Sequence, residues 1–199
     1  MNIYSFLIIT GKLWIPIVAT INLEKEREKR LVEDAGKGDL EAFEEVVRAY
    51  MRWAYTLAYR LSGEHFLAEE ISQEAFVALY QNISRFRQES TLKTYLSKII
   101  FNLWRQHLRK RYREKRFTEV LRGKMKGEDN LMDEIENDDL KAKIGCAIAT
   151  LPPKQKEIFV LKHLEGFKIS EVAEIVGCRE GTVKAHLFKA LMNLRKQLR

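Results

Sequence analysis

Between Arg85 and Arg116 the chain carries eleven lysines and arginines against two acids, Glu89 and Glu114, with Phe86, Tyr95, Phe101, Trp104, His107 and Tyr112 set among them. Cations neutralise backbone phosphates, and aromatic faces accept unpaired bases, so this mixture suits a single-stranded nucleic acid. For any one ring a core position is the commoner explanation: Tyr95 lies on or beside a Leu92, Leu96, Ile99, Leu103 stripe, and Phe101 fits either role. Taken as a segment, with Asn102 and Gln106 added, it reads as a strand platform. A second chemistry sits near the end of the chain. Ile169 to Gly177 and Glu180 to Leu187 are spaced as a helix-turn-helix, with Ser170 placed to cap the first helix and Gly177 to end it in the left-handed region. Val183, Leu187, Ala190, Leu191 and Leu194 form the packing stripe of the second helix, and Lys184, His186 and Lys189 project elsewhere. A helix of this kind fits a DNA major groove. Paired amphipathic helices around a Gly turn also occur in ordinary bundles. Charge separates the two readings, because from Arg179 onward Arg179, Lys184, Lys189, Arg195, Lys196 and Arg199 face Glu180 alone.

The elements that must hold these residues are all helical, with no strand alternation and no internal repeat. A charged helix from Glu24 to Ala35 ends at Gly36-Lys37-Gly38, and Asp39 caps a long helix. That helix keeps Phe43, Val46, Val47, Tyr50, Ala54, Leu57, Ala58 and Leu61 on one face up to Ser62-Gly63. The next, about Phe66 to Asn82, buries Leu67, Ile71, Ala75, Ala78 and Leu79 and shows Glu70, Gln73, Glu74 and Val77 on a different face. After the basic segment, Gly127 to Leu140 holds seven acids and no cation, which suits a tether or the occupant of a basic channel and not a nucleic-acid contact. Ile144, Ala147, Ile148 and Leu151 open the last module, and Pro152-Pro153 starts the helix carrying Ile158, Phe159 and Leu161. Met1 to Leu23 is apolar apart from Lys12 and is interrupted by Gly11 and Pro16; a start-site artefact is the favoured reading, a membrane anchor the second. The expected organisation is therefore 1–23 as an extension, 24–116 and 142–199 as two small helical modules, and 117–141 as an acidic linker.

Composition narrows the function. The chain has 199 residues, 46% of them hydrophobic, enough to build a core, and a net charge of +7 that conceals blocks of alternating sign. Cys146 and Cys178 form neither a CxxC nor a metal-spaced set, and the four histidines include no HExxH, so the default is two buried thiols in a reducing, cytoplasmic compartment. No carboxylate cluster, activated nucleophile or phosphate-cradling Gly loop stands at usable spacing. The expectation is a protein that is not an enzyme, with no catalytic residue, no metal and no cofactor.

With these blocks in hand a resemblance becomes specific. Asp39-Leu40-Glu41-Ala42-Phe43, Ala68 to Phe76, and Phe86 to Leu96 resemble region two of the extracytoplasmic-function sigma factors of bacterial RNA polymerase. Leu151-Pro152-Pro153-Lys154-Gln155 and Gly181-Thr182-Val183-Lys184 are similar to region four of the same group, and the likeness runs from about Gly38 to Gln197. It implies that Glu70, Gln73, Glu74 and Val77 bind a coiled coil on the large catalytic subunit of the core polymerase, whose flap is a further contact. It implies that a loop from Ser84 to Thr91, with Phe86, Arg87, Gln88 and Ser90, opens the minus-ten element, while Lys93, Tyr95, Lys98, Asn102, Arg105 and Arg109 line the strand. Arg179, Glu180, Thr182, Lys184, His186 and Lys189 would meet the minus-thirty-five duplex. The partners implied are core polymerase, promoter DNA and an anti-sigma factor, with no small-molecule substrate. The sequence departs from the family pattern at Glu70 where Asp is usual, Tyr95 for Trp, Gln106 for Asp, Arg179 for Ser and Phe188 for His, so the promoter sequence does not transfer. A LuxR-type response regulator has a similar helix-turn-helix, but the alternating strands and helices of its receiver domain are missing from this sequence. From physics alone, a polymerase-independent, two-headed DNA-binding regulator is the alternative.

Overall fold

The computed structural model describes residues 26–122 and 139–198, and among them every regular element is helical. In chain order these are α1 (26–36), α2 (Leu40–Ser62), α3 (His65–Asn82), a 3-10 turn at Ile83–Arg85, α4 (Leu92–Arg122), α5 (Asp139–Ala149), α6 (Pro153–Phe159), a wider π-type stretch at Val160–Leu164, α7 (Ile169–Val176) and α8 (Glu180–Gln197). The all-α expectation holds. The apolar extension and most of the acidic linker lie outside the described residues. Residues 117–122 continue α4, and 139–141 belong to α5.

The chain divides into two compact units. The first comprises residues up to Tyr50 together with Tyr80–Phe86. Asp39 opens α2 as its sequence position predicts, its Oδ1 accepting the backbone N–H groups of Glu41 at 2.9 Å and Ala42 at 3.1 Å. Val32, Ala35, Ala42, Val46 and Ile83 are buried, the Phe43 and Tyr80 rings meet edge-on at 5.0 Å, and the Tyr50 hydroxyl donates to Glu28 at 3.0 Å.

The second unit comprises Met51–Leu79 and the chain from Arg87 onward. Ala54, Leu57, Ala58 and Leu61 of α2, and Leu67, Ala68, Ile71, Ala75 and Leu79 of α3, are buried, whereas Ala78 is only half-buried. Thr91 caps α4, its hydroxyl oxygen accepting the Thr94 backbone N–H at 3.1 Å. The core stripe of α4 is Leu92, Leu96, Ile100, Phe101 and Trp104; Ile99 and Leu103 sit at its edge. The expected stripe was rotated by one residue because either register supplies an apolar side chain at each turn, and only packing of the large Phe101 ring distinguishes them.

The second unit also holds the C-terminal helices. Pro152 precedes α6, Pro153 being its first residue, and Ile158, Val160, Leu161, Phe167, Val172, Ile175, Val176, Val183, Leu187, Ala190 and Leu194 are buried. Leu191, expected in the α8 stripe, is 49% exposed: at i+8 from Val183 it has drifted to the stripe's edge. Ser170 is not the cap of α7. The helix begins one residue before it, and the Glu171 carboxylate reaches back to accept the Lys168 N–H at 2.7 Å. Gly177 does end α7 with φ 70 and ψ 47, the Cys178 N–H bonding to the Ala173 carbonyl at 3.0 Å. A Cβ there meets no atom within 4 Å, so Gly177→Ala is expected to cost about 1 kcal/mol through left-handed backbone strain alone, measurable by urea unfolding.

Candidate nucleic-acid interfaces

Once the core stripe of α4 is turned inward, Lys98, Asn102, Arg105 and Arg109 follow at i, i+4, i+7 and i+11 and share one side of the helix. Asn102 and Arg109 are exposed, and Arg109 also lines a shallow hollow with Gln106, Tyr112 and Arg113. The Arg105 guanidinium lies over the Phe101 ring at 4.8 Å. Lys93 is not part of this row. It sits nearer the core side of α4, its ammonium 5.2 Å from the centroids of both the Trp53 and Phe167 rings. Tyr95 is half-buried, and Phe101, open to either reading in the sequence, is wholly a core residue. In the preceding loop Phe86 is half-buried with its N–H on the Ile83 carbonyl at 3.1 Å, Arg87 is exposed and Ser90 is half-buried. Gln88 adopts φ 55, a left-handed corner uncommon for a side-chain-bearing residue.

On α8 the buried stripe leaves Arg179, Glu180, Thr182, Lys184 and Lys189 exposed. Thr182, His186 and Lys189 fall at i, i+4 and i+7 on one side, while Lys184 is separated from them around the helix. His186 is half-buried, its Nδ1 enclosed without a hydrogen-bond partner among the described residues. Phe188, one turn beyond Lys184, is 67% exposed and lies nearer the middle of the outward face. The sequence showed it only as a departure from a family pattern; its exposure follows from the α8 register. An apolar ring there can contact a thymine methyl group.

A third surface runs along α3. Glu70, Gln73, Glu74 and Val77 are all exposed, at i, i+3, i+4 and i+7. Phe66, four residues before Glu70 and 81% exposed, extends the strip and was missed because it stands where a helix-opening core residue would. His107 of α4 approaches Glu74, Nε2 to Oε2 at 3.7 Å. With Glu70 they place three donor atoms within 4.8 Å of one another, a set able to hold a divalent cation.

Burial sets the titration of two neighbouring groups on α6. The Glu157 side chain is 3% exposed; its Oε2 lies 3.9 Å from Arg105 and 3.8 Å from Lys154 and has no hydrogen-bond partner among the described residues. Burial pushes this carboxyl up to about 7 against the opposing pull of Arg105. Lys156 is pushed down by burial, with Glu64 opposing. Neither was singled out in the sequence, because their burial comes from packing between distant helices that no local pattern shows.

Fold and surfaces together define a class, a helical DNA-binding protein with a basic face on one long helix and a separate helix-turn-helix. Comparison with known proteins makes this specific. Residues 46–114 match the model of Sigma-70 region 2, and residues 141–194 match that of Sigma-70, region 4. The chain is 32% identical over 184 residues to the ECF RNA polymerase sigma factor SigW of Bacillus subtilis (strain 168), covering 86% of this chain and 96% of that one. It is 28% identical to the RNA polymerase sigma-H factor of Pseudomonas aeruginosa, covering 88% and 96%. A co-crystal structure of the sigma factor RpoE with the anti-sigma factor NepR from Bartonella quintana superposes with a TM-score of 0.64 at 25% identity, covering 78% of this chain and 96% of that one. The chain belongs to the sigma-70 family, in its extracytoplasmic-function branch, and is an RNA polymerase sigma factor that directs transcription initiation.

Proposed function

We propose that three surfaces divide the work of initiation. The α3 strip of Glu70, Gln73, Glu74 and Val77, extended by Phe66, binds the core polymerase through a ring and an apolar side chain flanking an acidic centre. The Lys98, Asn102, Arg105, Arg109 row, together with Phe86, Arg87, Gln88 and Ser90 of the loop, receives the opened minus-ten strand; Lys93 and Tyr95 border it. Strand separation costs a few kcal/mol per flipped base, which phosphate neutralisation and a pocket for the extruded base offset. On α8, Arg179, Glu180, Thr182, Lys184, His186 and Lys189, joined by Phe188, read the minus-thirty-five duplex.

The observation that carries this reading is the regular i, i+4, i+7, i+11 row on α4, which a core helix has no reason to make basic. The modules run to the end of α4 at Arg122 and resume with α5 at Asp139, so the linker is the stretch between them, shorter than the 117–141 expected. The chain works in the cytoplasm without catalytic residues of its own, since bond formation belongs to the core enzyme. Among the described residues no helix is long and apolar enough to cross a membrane. An anti-sigma factor is a partner, supported by the likeness to a sigma factor solved with one. The test is in vitro transcription with bacterial core polymerase on a genomic promoter library. New start sites that appear only with the protein, and fall sharply with Arg105→Ala and Arg109→Ala, are the expected result. Specific retention of duplex fragments with no initiation would instead favour a polymerase-independent regulator.

A further inference from the structure

On the outward strip of α3, Glu70 and Glu74 stand one helical turn apart, and His107 of α4 comes up beside them with its Nε2 3.7 Å from Glu74 Oε2. That is longer than a hydrogen bond and close to the separation of about 3.4 Å that two ligands of one tetrahedral ion keep at bond lengths of about 2.1 Å. A Glu70 carboxylate oxygen completes the set, the three donor atoms lying within 4.8 Å of one another. Both glutamates are exposed, so rotation about their outer torsions closes the remaining gap without moving either helix. His107 is the fixed member: its side chain is 20% exposed, and it sits one turn beyond the buried Trp104. Arg111, a further turn along α4, is paired with Glu64, so its charge is balanced at short range. Two carboxylates alone hold any cation loosely. A neutral imidazole from a second helix adds a ligand that first-row transition ions favour over Mg²⁺ and Ca²⁺, so the mixed set suits Zn²⁺ and its neighbours. Two negative charges match a dication, and three protein ligands leave a fourth position for water.

We propose that Glu70, Glu74 and His107 form a binding site for a divalent transition-metal cation of the Zn²⁺ class, and that the bound ion competes with core polymerase for the α3 strip. The proposal rests on the assignment of that strip to the core enzyme. The two carboxylates that meet the polymerase are also the metal ligands, so the ion takes both negative charges off the docking surface and ties α3 to α4 through the imidazole. Gln73 and Val77 stay exposed beside it, but the acidic centre that gives the contact its polarity is gone. By linkage, core polymerase lowers affinity for the ion by the same factor as the ion lowers affinity for polymerase. His107 lies outside the residues assigned to polymerase and to DNA, which lets the ion be removed without touching either surface.

The test titrates untagged full-length protein with Co²⁺, whose visible ligand-field absorption reports a protein site, and then displaces it with Zn²⁺. His107→Gln is compared throughout, circular dichroism verifying its fold, and Glu70→Gln, at an exposed position, is a second variant for the metal titration alone. The expected result is a single Co²⁺ site per chain, displaced by Zn²⁺ but not by a large excess of Mg²⁺, with affinity about 100-fold lower in either variant. In pull-down against core enzyme, Zn²⁺ is expected to weaken wild-type binding about tenfold while leaving His107→Gln at the level of the metal-free wild type, which also separates this effect from any action of zinc on the polymerase. Co²⁺ binding that is equal in wild type and folded variants, or that Mg²⁺ displaces, overturns the site and leaves the strip assignment standing. A His107-dependent ion that does not weaken core binding overturns the competition, and Glu70→Lys combined with Glu74→Lys then shows whether the strip assignment falls with it.

Discussion

Reversing Glu70 and Glu74 to lysine together is expected to weaken binding to core polymerase by about 100-fold, roughly 2.7 kcal/mol, and to abolish initiation in proportion, with the helical circular dichroism signal unchanged. Both side chains are exposed on α3, opposite the buried Leu67, Ile71, Ala75 and Leu79, so the fold loses little when they change. The one ionic neighbour affected in the described structure is His107, at 3.7 Å from Glu74. Placing two like charges in a docked polar patch adds repulsion to the lost attraction, which is why reversal exceeds alanine truncation. Pull-down against core enzyme gives the affinity. Undiminished binding by a folded variant would move the contact off this strip, and Phe66→Ala would then be the next variant to measure.

The largest effect on stability is expected at Glu157. Burial pushes its carboxyl up to about 7 in the folded protein from 4.5 for an ordinary glutamate, so between these values the folded state holds a proton that the unfolded chain has already released. For an acid raised on folding, the favourable contribution is full below about 4.5 and is lost as pH rises through about 7. Taken over the whole interval, the loss reaches about 3 kcal/mol, since each unit is worth about 1.4 kcal/mol. Glu157→Gln keeps the shape and removes the charge. The difference in unfolding free energy, variant minus wild type, should therefore grow from near zero at acid pH to a stabilisation of up to about 3 kcal/mol above neutrality. Urea titrations across that range measure it, and a flat difference would show that Arg105 and Lys154 already compensate the buried charge. A stabilised Glu157→Gln protein would also show that Glu157 is retained at a cost in stability, as expected of a group kept for pairing with Arg105.

Much of the architecture was legible before any coordinates. Helical period, the Asp39 cap, Gly177 and Pro153 are local signals, decided within a few residues by backbone sterics and hydrogen-bond geometry. The three polar strips were legible because a helix places residues three and four apart on one side whatever packs behind it. Where local chemistry offered equivalent options, the reading slipped. Ser170 and Lys168 with Glu171 are both adequate helix starts, and the α4 apolar residues allow two registers, so the choice fell to long-range packing of Phe101 and Phe167.

By itself, then, the sequence determined that this is an all-helical chain with an acidic strip, a basic aromatic helix and a helix-turn-helix, because periodicity and charge order are properties of short stretches. Only the tertiary structure decided that Lys93 leaves the basic row of α4 for Trp53 and Phe167, that Phe66 and Phe188 stay outside, and that Glu157 and Glu165 are buried beside Arg105 and Arg60. These contacts join residues 40 to 112 positions apart in the chain, from Trp53–Lys93 at 40, through Arg105–Glu157 at 52 and Arg60–Glu165 at 105, to Trp53–Glu165 at 112. No helical period reaches so far, and the desolvation that raises Glu157 exists only once the modules have enclosed it.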